Sequence, residues 1–426
     1  MTEDFLHFIW RTRNFNFKNL FTTDGHSVEI LDFGQWNTNA GPDFLMARLI
    51  IDGTEWAGNI EMHLSASEWN RHGHTNDPAF ESVILHVVLE EDTPVHAGTH
   101  RLACVELKDR IDSKLLGQYL RLMATESWVP CAMHLRNIPF ITRTLWLDRM
   151  LVERIQSRVS DVNALLDETK DSWEEVFYRS LASAYGFKVN SAPFARLARL
   201  LPLKVLFKHQ SSSLQLEALL FGTAGMLNRI FIEEYPVSLQ KEYVHLSQKY
   251  DLSPIDARAW KWGRLRPANF PTIRLAQFAS LMSTFQGLFR TILESPKVDT
   301  LRNLFMTQVN PYWNMHSDFD RSARLAQRQI GMQSVDGILI NTLIPFLFSY
   351  GKRRGEDQFV VRALDLICSL PSEMNTITRH WSEIDMPNLH AGHSQALIHL
   401  KNEYCDQRRC VACAIGNHIL TSTVKS

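Results

Sequence analysis

The sequence predicts an α+β fold, in which an N-terminal α/β domain is followed by a mostly α-helical domain. Short alternating or β-branched apolar runs, which are typical of strands, fill the first 110 residues. Beyond about residue 135 the apolar side chains recur with helical spacing. Because 426 residues exceed what one hydrophobic core holds, we predict domains over 1–125 and 135–400, with a cysteine-containing tail over 401–426 packed on the rest.

The N-terminal domain is predicted to follow the order α-β-β-β-α-β. Asp52-Gly53 between two apolar runs is typical of a hairpin turn, and the continuous β-branched run 82–89 indicates a buried strand. The predicted elements are helix 3–10, strands 27–33, 44–51 and 56–64, helix 65–71, strand 82–89 and a strand pair within 94–108.

The remainder of the chain is predicted to be helical and is punctuated by prolines. Within 144–166, for example, Leu147, Leu151 and Ile155 lie on one face of a helix. Further helices are predicted over 173–185, 193–201, 215–221, 238–249, 273–293, 335–350 and 359–370.

Composition excludes several classes of protein. The chain is 45% hydrophobic and 21% charged, and its net charge of −1 argues against a strongly electrostatic protein as a whole. The start MTEDFLHFIW lacks the basic region of a signal peptide, and no apolar run reaches the length of a membrane span. We therefore expect a cytoplasmic protein with no membrane partner, whose six cysteines are thiols or metal ligands rather than disulfides.

The stretch 37–63, NTNAGPDFLMARLIIDGTEWAGNIEMH, carries the first candidate site. Asp43 opens one predicted strand, and Glu61 and His63 lie two residues apart in the next, so their side chains project from the same face. A hairpin between the strands brings Asp43 near both. Two carboxylates and a nitrogen base are sufficient to bind a divalent metal and activate water. Alternatively, Asp43 caps a turn and Glu61 and His63 form a surface pair.

This element order and the PD…E-x-H pattern resemble the PD-(D/E)XK nuclease superfamily over roughly residues 1–110. The resemblance implies a restriction-endonuclease-like core and metal-dependent cleavage of phosphodiesters in DNA or RNA. It implies that Asp43 and Glu61 bind Mg²⁺ or Mn²⁺, and that His63, in place of the lysine of the superfamily, orients or deprotonates water. Because histidine also binds metals directly, the replacement favours either a softer metal or a fold without nuclease chemistry.

The next segment, RHGHTND, offers further candidates in His72, His74 and Asp77. The two histidines flank Gly73, a spacing that can present both imidazoles to one ion. In one interpretation these residues line the same cleft as Asp43 and Glu61. In another they form a separate zinc site, and in a third they belong to a helix-ending turn with Gly73 as its C′ residue. His86, on an apolar strand, is more typical of a core histidine than of a ligand.

Cys405-x4-Cys410-x2-Cys413 places three thiols within nine residues. In a cytoplasmic protein this spacing is typical of Zn²⁺ or an iron–sulfur cluster. Some nucleases of the superfamily named above hold such a cluster with one distant and three C-terminal cysteines, and Cys131 with the trio is similar. The alternative is reduced thiols packed as small apolar groups. Candidates for a fourth ligand are Cys131, Cys368, His399 and His418.

Residues 259–274, AWKWGRLRPANFPTIR, interleave basic and aromatic side chains. This pattern fits a groove for single-stranded nucleic acid, in which cations meet phosphates and rings stack on bases. Buried tryptophans in a connection between helices explain the same pattern without a ligand. The predicted nucleic-acid contacts are Lys261, Arg264, Arg266 and Arg274.

A wider resemblance covers nearly the whole chain. The strings NAGPDF, WAGNIEMH, HGHTND, VILHVV, EALLFGTAG, RLRPANFPTIRLAQ and YCDQRRCVACAIG look like an uncharacterised bacterial family that is carried as a domain of unknown function. It implies no activity, so function rests on the site. Three hypotheses follow: a metal-dependent, nuclease-like enzyme; a catalytically inactive nuclease fold that binds nucleic acid or protein; and a zinc metallohydrolase that uses His63, His72, His74 and Asp77.

Overall fold

The structure, a computed structural model, describes residues 1–97, 100–295 and 297–422. The chain divides into two compact units at four points, which follow Leu147, Thr378, Pro387 and Leu397. Unit 1 comprises Met1–Leu147, Arg379–Pro387 and Ile398–Ser426, and unit 2 comprises Asp148–Thr378 and Asn388–Leu397. The predicted α+β class is confirmed, because a sheet-rich N-terminal region precedes a mostly helical one.

Most strands of the described residues belong to one mixed sheet in unit 1. The strands are β1 Leu20–Phe21, β2 Ser27–Asp32, β3 Gln35–Trp36, β4 Phe44–Ile51, β5 Thr54–Ser65, β6 Val83–Glu90, β7 His96–Ala97, β8 His100–Arg101, β9 Cys104–Glu106, β10 His316–Asp318 and β11 Arg321–Ser322. The sheet order is β1-β2-β4-β5-β6-β9, with β3 beside β4, while β7 pairs with β8 and β10 with β11 in separate ribbons.

The direction of the central strands changes at β5. Strands β2, β4 and β5 are antiparallel neighbours, whereas β6 runs parallel to β5 and β9 runs parallel to β6. The predicted hairpin between β4 and β5 is confirmed, since Ile51 pairs with Thr54 across Asp52-Gly53. Both turn residues have positive φ, 47° and 78°, as in the hairpin turn that matches the twist of the strands.

The helices flank the sheet in unit 1 and form most of unit 2. They are α1 Glu3–Thr12, α2 Glu68–Arg71, α3 Ser113–Ala124, α4 Phe140–Thr169, α5 Trp173–Tyr185, α6 Phe187–Leu200, α7 Leu203–Lys208, α8 Ser213–Thr223, α9 Glu234–Tyr250, α10 Pro271–Met282, α11 Phe285–Glu294, α12 Val298–Phe305, α13 Met332–Ile338, α14 Ile344–Arg354, α15 Asp357–Ser369, α16 Thr376–Glu383, α17 Ala391–His399 and α18 Ala414–Ser422. The π-helical segments Leu339–Leu343 and Leu400–Cys405 follow α13 and α17 directly.

Three predicted helices differ from the observed ones for local reasons. The helix predicted over 65–71 shortens to α2, because the hydroxyl of Ser67 donates to Asp92 instead of capping a helix. The helix predicted over 193–201 begins earlier, and a non-helical Asn190 accommodates the proline inside α6. The helix predicted over 273–293 is two helices, α10 and α11, with Thr284 at a non-helical φ of −115° between them.

The hydrophobic core of unit 1 packs α1 and α3 against one face of the sheet. Phe5 of α1 stacks on Tyr119 of α3 with 3.9 Å between ring centroids. The same core includes Val411 and Leu420, which are 7% and 0% exposed. Residues near the C terminus therefore complete the core that begins with α1.

One helical stretch among the described residues, Met332–Arg354, is long and apolar enough to cross a membrane, with a mean hydropathy of 1.2. Within the protein, 67% of its apolar window is buried. A buried stretch of this kind is typical of a core helix, so by itself it is weak evidence for a membrane span.

Candidate metal centre

Strands β4 and β5 hold the two predicted acidic residues side by side. Asp43 immediately precedes β4, whose first residue Phe44 pairs with Ile60 of β5. The backbone N–H of Asp43 donates to Oε2 of Glu61 at 3.1 Å. In return, the N–H of Met62 donates to Oδ2 of Asp43 at 2.9 Å. The structure thus brings Asp43 and Glu61 together, with each carboxylate bonded to the backbone of the opposite strand.

Four side chains converge near the end of β5. Nε2 of His63 lies 3.2 Å from Nδ1 of His72 and 3.6 Å from Oε1 of Glu61. Nε2 of His74 lies 3.3 Å from the same Oε1 atom. One nitrogen from each of the three histidines lies within 4.8 Å of the other two, and this is the one such group of at least three His, Cys, Asp or Glu ligand atoms found among the described residues.

A left-handed glycine places the two outer histidines. Helix α2 ends at Arg71, and His72 caps its C terminus. Gly73 then adopts a φ of 80°, and His74 begins a short 3-10 turn. Because a side chain at positive φ costs about 1 kcal/mol, glycine suits this position. The predicted C′ glycine is confirmed, and it turns His72 and His74 towards Glu61 and His63.

On the side of its ring away from the cluster, His63 contacts a second buried histidine. Nδ1 of His63 lies 2.8 Å from Nε2 of His86, whose side chain is fully buried. When Nε2 of a histidine binds a metal, Nδ1 carries the proton and donates to such an outer partner. His74 is supported differently, by stacking on Phe80 with 3.8 Å between ring centroids. His86 is therefore the hydrogen-bonded core histidine that its apolar strand predicts.

His7, which the sequence did not single out, adds a polar group beside Asp43. Nε2 of His7, on α1, lies 3.2 Å from Oδ2 of Asp43. Burial alone would lower the pKa of His7, but the hydrogen bond to Asp43 and the charges of Asp43, Asp4 and Glu3 outweigh it and raise the pKa. The available signal was the concentration of eight of the 17 histidines in the first 100 residues, which does not distinguish His7 from the rest.

Burial sets the protonation of these residues. Together with the charge of Asp43, it raises the pKa of Glu61 to about 9. Burial and the neighbouring imidazoles lower the pKa of His63 to about 3, and they lower that of His74 as well. At neutral pH both histidines are therefore neutral and have lone pairs available for a metal. A cation would favour the ionised form of Glu61, so the arrangement is suited to binding one.

The sequence pattern of one protein family, described as "Protein of unknown function (DUF2851)", matches residues 3–376. The match spans well over half of the 426 residues and includes every residue of the candidate metal centre. This chain belongs to the DUF2851 family. Membership of a family with a domain of unknown function is thereby confirmed. No curated protein and no solved structure matches the chain.

In this DUF2851 protein, Asp77 lies outside the ligand cluster. Its Oδ1 accepts a hydrogen bond from the N–H of Ala79 at 2.9 Å, which caps the 3-10 turn Pro78–Phe80. A carboxylate committed to a cap is less available to a metal. We therefore keep His72 and His74, but not Asp77, among the candidate ligands.

Of the four predicted nucleic-acid contacts of the DUF2851 chain, one is buried in the structure and three are exposed. Arg274 is 7% exposed and donates to Oε1 of Gln277 and Oδ1 of Asn269 at 2.9 and 2.6 Å. Burial lowers its pKa to about 10. Because this guanidinium is enclosed and paired within unit 2, we withdraw it from the predicted contacts. The exposed residues that stay predictions are Lys261, Arg264 and Arg266.

Proposed function

We propose that the protein is a metal-dependent hydrolase of the nuclease type, which cleaves phosphodiesters of DNA or RNA at the centre described above. The observation that carries the proposal is the convergence of Glu61 with His63, His72 and His74 at contact distances of 3.2 to 3.6 Å. Imidazoles with one carboxylate are a common donor set of catalytic metal sites. An ion that accepts five or six ligands keeps room there for water.

The nitrogen and oxygen donors of the centre narrow the choice of metal ion. The nuclease resemblance implies Mg²⁺ or Mn²⁺, but Mg²⁺ prefers oxygen ligands and retains several waters. Three imidazoles favour a transition metal instead. We therefore expect Zn²⁺ or Mn²⁺ rather than Mg²⁺. In this proposal His63 is a metal ligand and does not take the part of the lysine in the superfamily.

In the proposed hydrolysis, the ion and the residues around it have different tasks. When bound, the ion would polarise a phosphoryl oxygen and lower the pKa of a bound water to about 7. Glu61 and the three histidines would hold it. Asp43 and His7 form an ion pair, with 3.2 Å between Oδ2 and Nε2, next to Glu61, and we assign proton transfer to this pair.

The arrangement of the sheet supports phosphodiesters as the substrate class. When the two-residue strands β1 and β3 are set aside, the order is α1, β2, β4, β5, α2, β6, which is compatible with the α-β-β-β-α-β order that the nuclease resemblance implies. Asp43 stands before the second of these strands and Glu61 within the third, as that resemblance also implies. The three exposed basic residues Lys261, Arg264 and Arg266 remain proposed contacts for the nucleic acid.

The test combines metal analysis with an activity assay on the full chain. The metal-free protein would be supplied with Zn²⁺, Mn²⁺ or Mg²⁺ and assayed on single- and double-stranded DNA, on RNA and on a chromogenic aryl phosphodiester. We expect turnover with Zn²⁺ or Mn²⁺ that falls at least 100-fold in Glu61→Gln and His72→Ala.

His245→Ala is the matched control, because His245 is an exposed histidine of α9 in unit 2. Its activity should equal that of the wild type. Wild-type protein that binds a metal at the four residues but turns over no phosphodiester would overturn the hydrolase proposal and leave a metal-dependent binding protein. Activity that survives both site substitutions would show that the catalytic centre lies elsewhere.

A further inference from the structure

A cavity of about 730 Å³ lies within unit 2, and nothing in the proposed function uses it. Its walls are faces of α4, α5 and α6, completed by α13, the π-helical segment Leu339–Leu343 and the start of α14. Sites that enclose small organic ligands usually have volumes of about 300 to 1,000 Å³. The cavity therefore has the size of a site for a small organic molecule.

Helical spacing in the sequence brings the lining residues to the cavity. On α4 they lie three or four positions apart, as expected for one face of a helix, and include Arg158, Asp161, Leu165 and Glu168. On α6, beyond its kink, Ser191, Ala195 and Arg199 recur at every fourth residue. Two neighbouring helices thus present charged groups to one space.

The charges in the lining are unequal in number. Among the described residues, the cations that line the cavity are Arg158, Arg179, Lys188 and Arg199, and the carboxylates are Asp161 and Glu168. Glu168 is already shared by two of these cations, because it accepts from Arg199 at 3.2 Å and from Arg179 at 3.4 Å. The lining therefore carries more positive than negative charge.

The other two cations, Arg158 and Lys188, are not paired in this way. Within the described part of the chain, the ion pairs of the cavity join Arg179 and Arg199 to Glu168 and involve neither Arg158 nor Lys188. Asp161 acts on Arg158 as a more distant charge, and burial lowers the pKa of this guanidinium. Placing a half-buried cation beside a cavity costs free energy, and a bound anion would offset that cost.

Hydroxyl groups and an unusual helical turn lie in the same lining. Oγ of Ser183 and Oγ of Ser191 are 2.7 Å apart, and when one hydroxyl donates to the other, the second keeps its hydrogen for another acceptor. Asn341 and Thr342 come from the π-helical segment, where Nδ2 of Asn341 donates to the carbonyl oxygen of Gly337 at 2.9 Å. Turns of this kind are rare and occur frequently at functional sites.

The turn between α5 and α6 is strained where it meets the cavity. Phe187, a lining residue, adopts a left-handed φ of 47°, which is unfavourable for an aromatic residue. The buried guanidinium of Arg274 lies 4.2 Å from the centroid of its ring. Backbone strain persists only where the surrounding structure imposes it, and it is common at ligand sites. The turn thus fixes Phe187 and the adjacent Lys188 in the wall.

We propose that this cavity binds a small organic phosphate monoester, with its phosphate held by Arg158 and Lys188. A phosphate dianion matches two cations and additional hydroxyl donors, and guanidinium groups bind it through paired hydrogen bonds. Inorganic phosphate alone would leave most of the volume empty. The organic part of the ligand lies against the apolar lining, which includes Leu165, Ala184 and Pro345.

The first experiment is calorimetric titration of the full-length protein with naphthyl phosphate. We expect saturable binding that weakens roughly 10-fold or more in Arg158→Gln and in Lys188→Gln, because each variant loses a charged contact to the phosphate. Arg196→Gln is the matched control, since Arg196 is an exposed arginine of α6 outside the lining. It should bind as the wild type does.

A second pair of variants tests the cavity without changing a charge. Ala195→Leu adds volume inside the lining and should abolish binding, whereas Ala192→Leu adds it on the exposed side of α6 and should not. Circular dichroism verifies that both variants are folded. Inorganic phosphate should displace naphthyl phosphate only at a concentration at least about 10-fold higher, because it lacks the apolar contacts.

Three results would overturn the proposal. The first is a wild-type protein that does not bind the monoester, and the second is binding that Arg158→Gln and Ala195→Leu leave unchanged. The third is naphthoate binding as tightly as naphthyl phosphate, which would make the site one for carboxylates.

This site does not depend on the proposed function. A phosphate monoester is not a phosphodiester, and His72→Ala should remove the ion of the histidine centre without changing the affinity for naphthyl phosphate. Binding that is lost in His72→Ala would place the ligand at the metal centre and contradict the cavity site. The two proposals can therefore fail separately.

Discussion

Among the residues of the candidate metal centre, Glu61 is a carboxylate that is both buried and next to a second carboxylate. The residue is 6% exposed and lies against Asp43, so burial and a like charge together raise its pKa to about 9. Burying a carboxylate costs free energy unless a cation or hydrogen bonds compensate it. In the proposed metal centre, a bound cation would offset this cost.

Replacing Glu61 with glutamine separates metal binding from stability. Glu61→Gln should weaken Zn²⁺ binding about 100-fold, because an amide oxygen is a far poorer ligand than a carboxylate. The free energy of unfolding of the metal-free protein should stay level or rise, since Glu61 must take up a proton on folding at neutral pH and glutamine need not. Titration against a chromophoric chelator measures the first quantity, and urea unfolding measures the second. An unchanged affinity would exclude Glu61 as a ligand.

Glu217 of α8 provides a test of pH dependence away from the metal centre. It is 3% exposed, and burial raises its pKa to about 7 in spite of hydrogen bonds to Tyr235 and Asn310. In the unfolded chain its pKa is near 4.5. Between these two values the unfolded chain releases the proton first, so the contribution of Glu217 to stability falls as the pH rises.

Glu217→Gln should therefore stabilise the protein in a pH-dependent manner. Relative to the wild type, the gain should grow by up to roughly 3 kcal/mol from pH 4.5 to pH 7.5. Urea unfolding at several pH values measures it. Glu294→Gln, which changes an exposed carboxylate, should show little pH dependence in the same comparison. A gain that is constant across this range would contradict the raised pKa.

At the scale of elements, the turn between α2 and the following 3-10 helix decides whether His72 and His74 reach one ion. Gly73 has a φ of 80°, and nothing lies within 4 Å of a Cβ added to it. Gly73→Ala therefore adds backbone strain of about 1 kcal/mol without a steric clash. We expect a roughly 5-fold loss of metal affinity, measured by chelator competition.

Gly117 in α3 is the comparison for that substitution. It also has open space around an added Cβ, but it has no positive φ. Gly117→Ala should raise the free energy of unfolding by about 0.5 to 1 kcal/mol and leave metal affinity unchanged. If both alanines weaken metal binding equally, the left-handed turn has no special part in the centre.

The sequence predicted the elements whose signals are local. The bounds of β4 and the hairpin at Asp52-Gly53 follow from apolar alternation and turn residues, and this hairpin is what joins Asp43 to Glu61. The helix α3 was missed, although Asp112 caps it by accepting from the N–H groups of Lys114 and Leu115. The contacts of His7 and His86 could not be predicted, because they depend on packing between elements that are distant in sequence.

At the scale of the whole molecule, unit 1 is assembled from three stretches of the chain. The core contacts of Val411 and Leu420 were not predictable from periodicity, because these residues lie in a three-residue 3-10 turn and in the nine-residue helix α18, which are too short for a clear pattern. Leu420→Ala should lower the free energy of unfolding of unit 1 by about 2 to 5 kcal/mol, since it leaves a cavity in a closed core.

Leu145→Ala is the control for that cavity, because Leu145 is 60% exposed. Urea unfolding followed by far-ultraviolet circular dichroism compares the two variants. Leu145→Ala should change stability by less than about 0.5 kcal/mol. Equal effects would mean that the C-terminal residues contribute no more to the core than a surface side chain.

Because unit 1 is built from three separate stretches of the chain, it cannot complete its fold early in translation. Val411 and Leu420 share a core with Phe5, which is translated roughly 400 residues before them. A chain that lengthens by about 5 to 20 residues per second therefore spends many seconds with that core incomplete. During this interval the incomplete core is open to chaperones and to aggregation, and unit 1 can complete its core only after Leu420 has been translated.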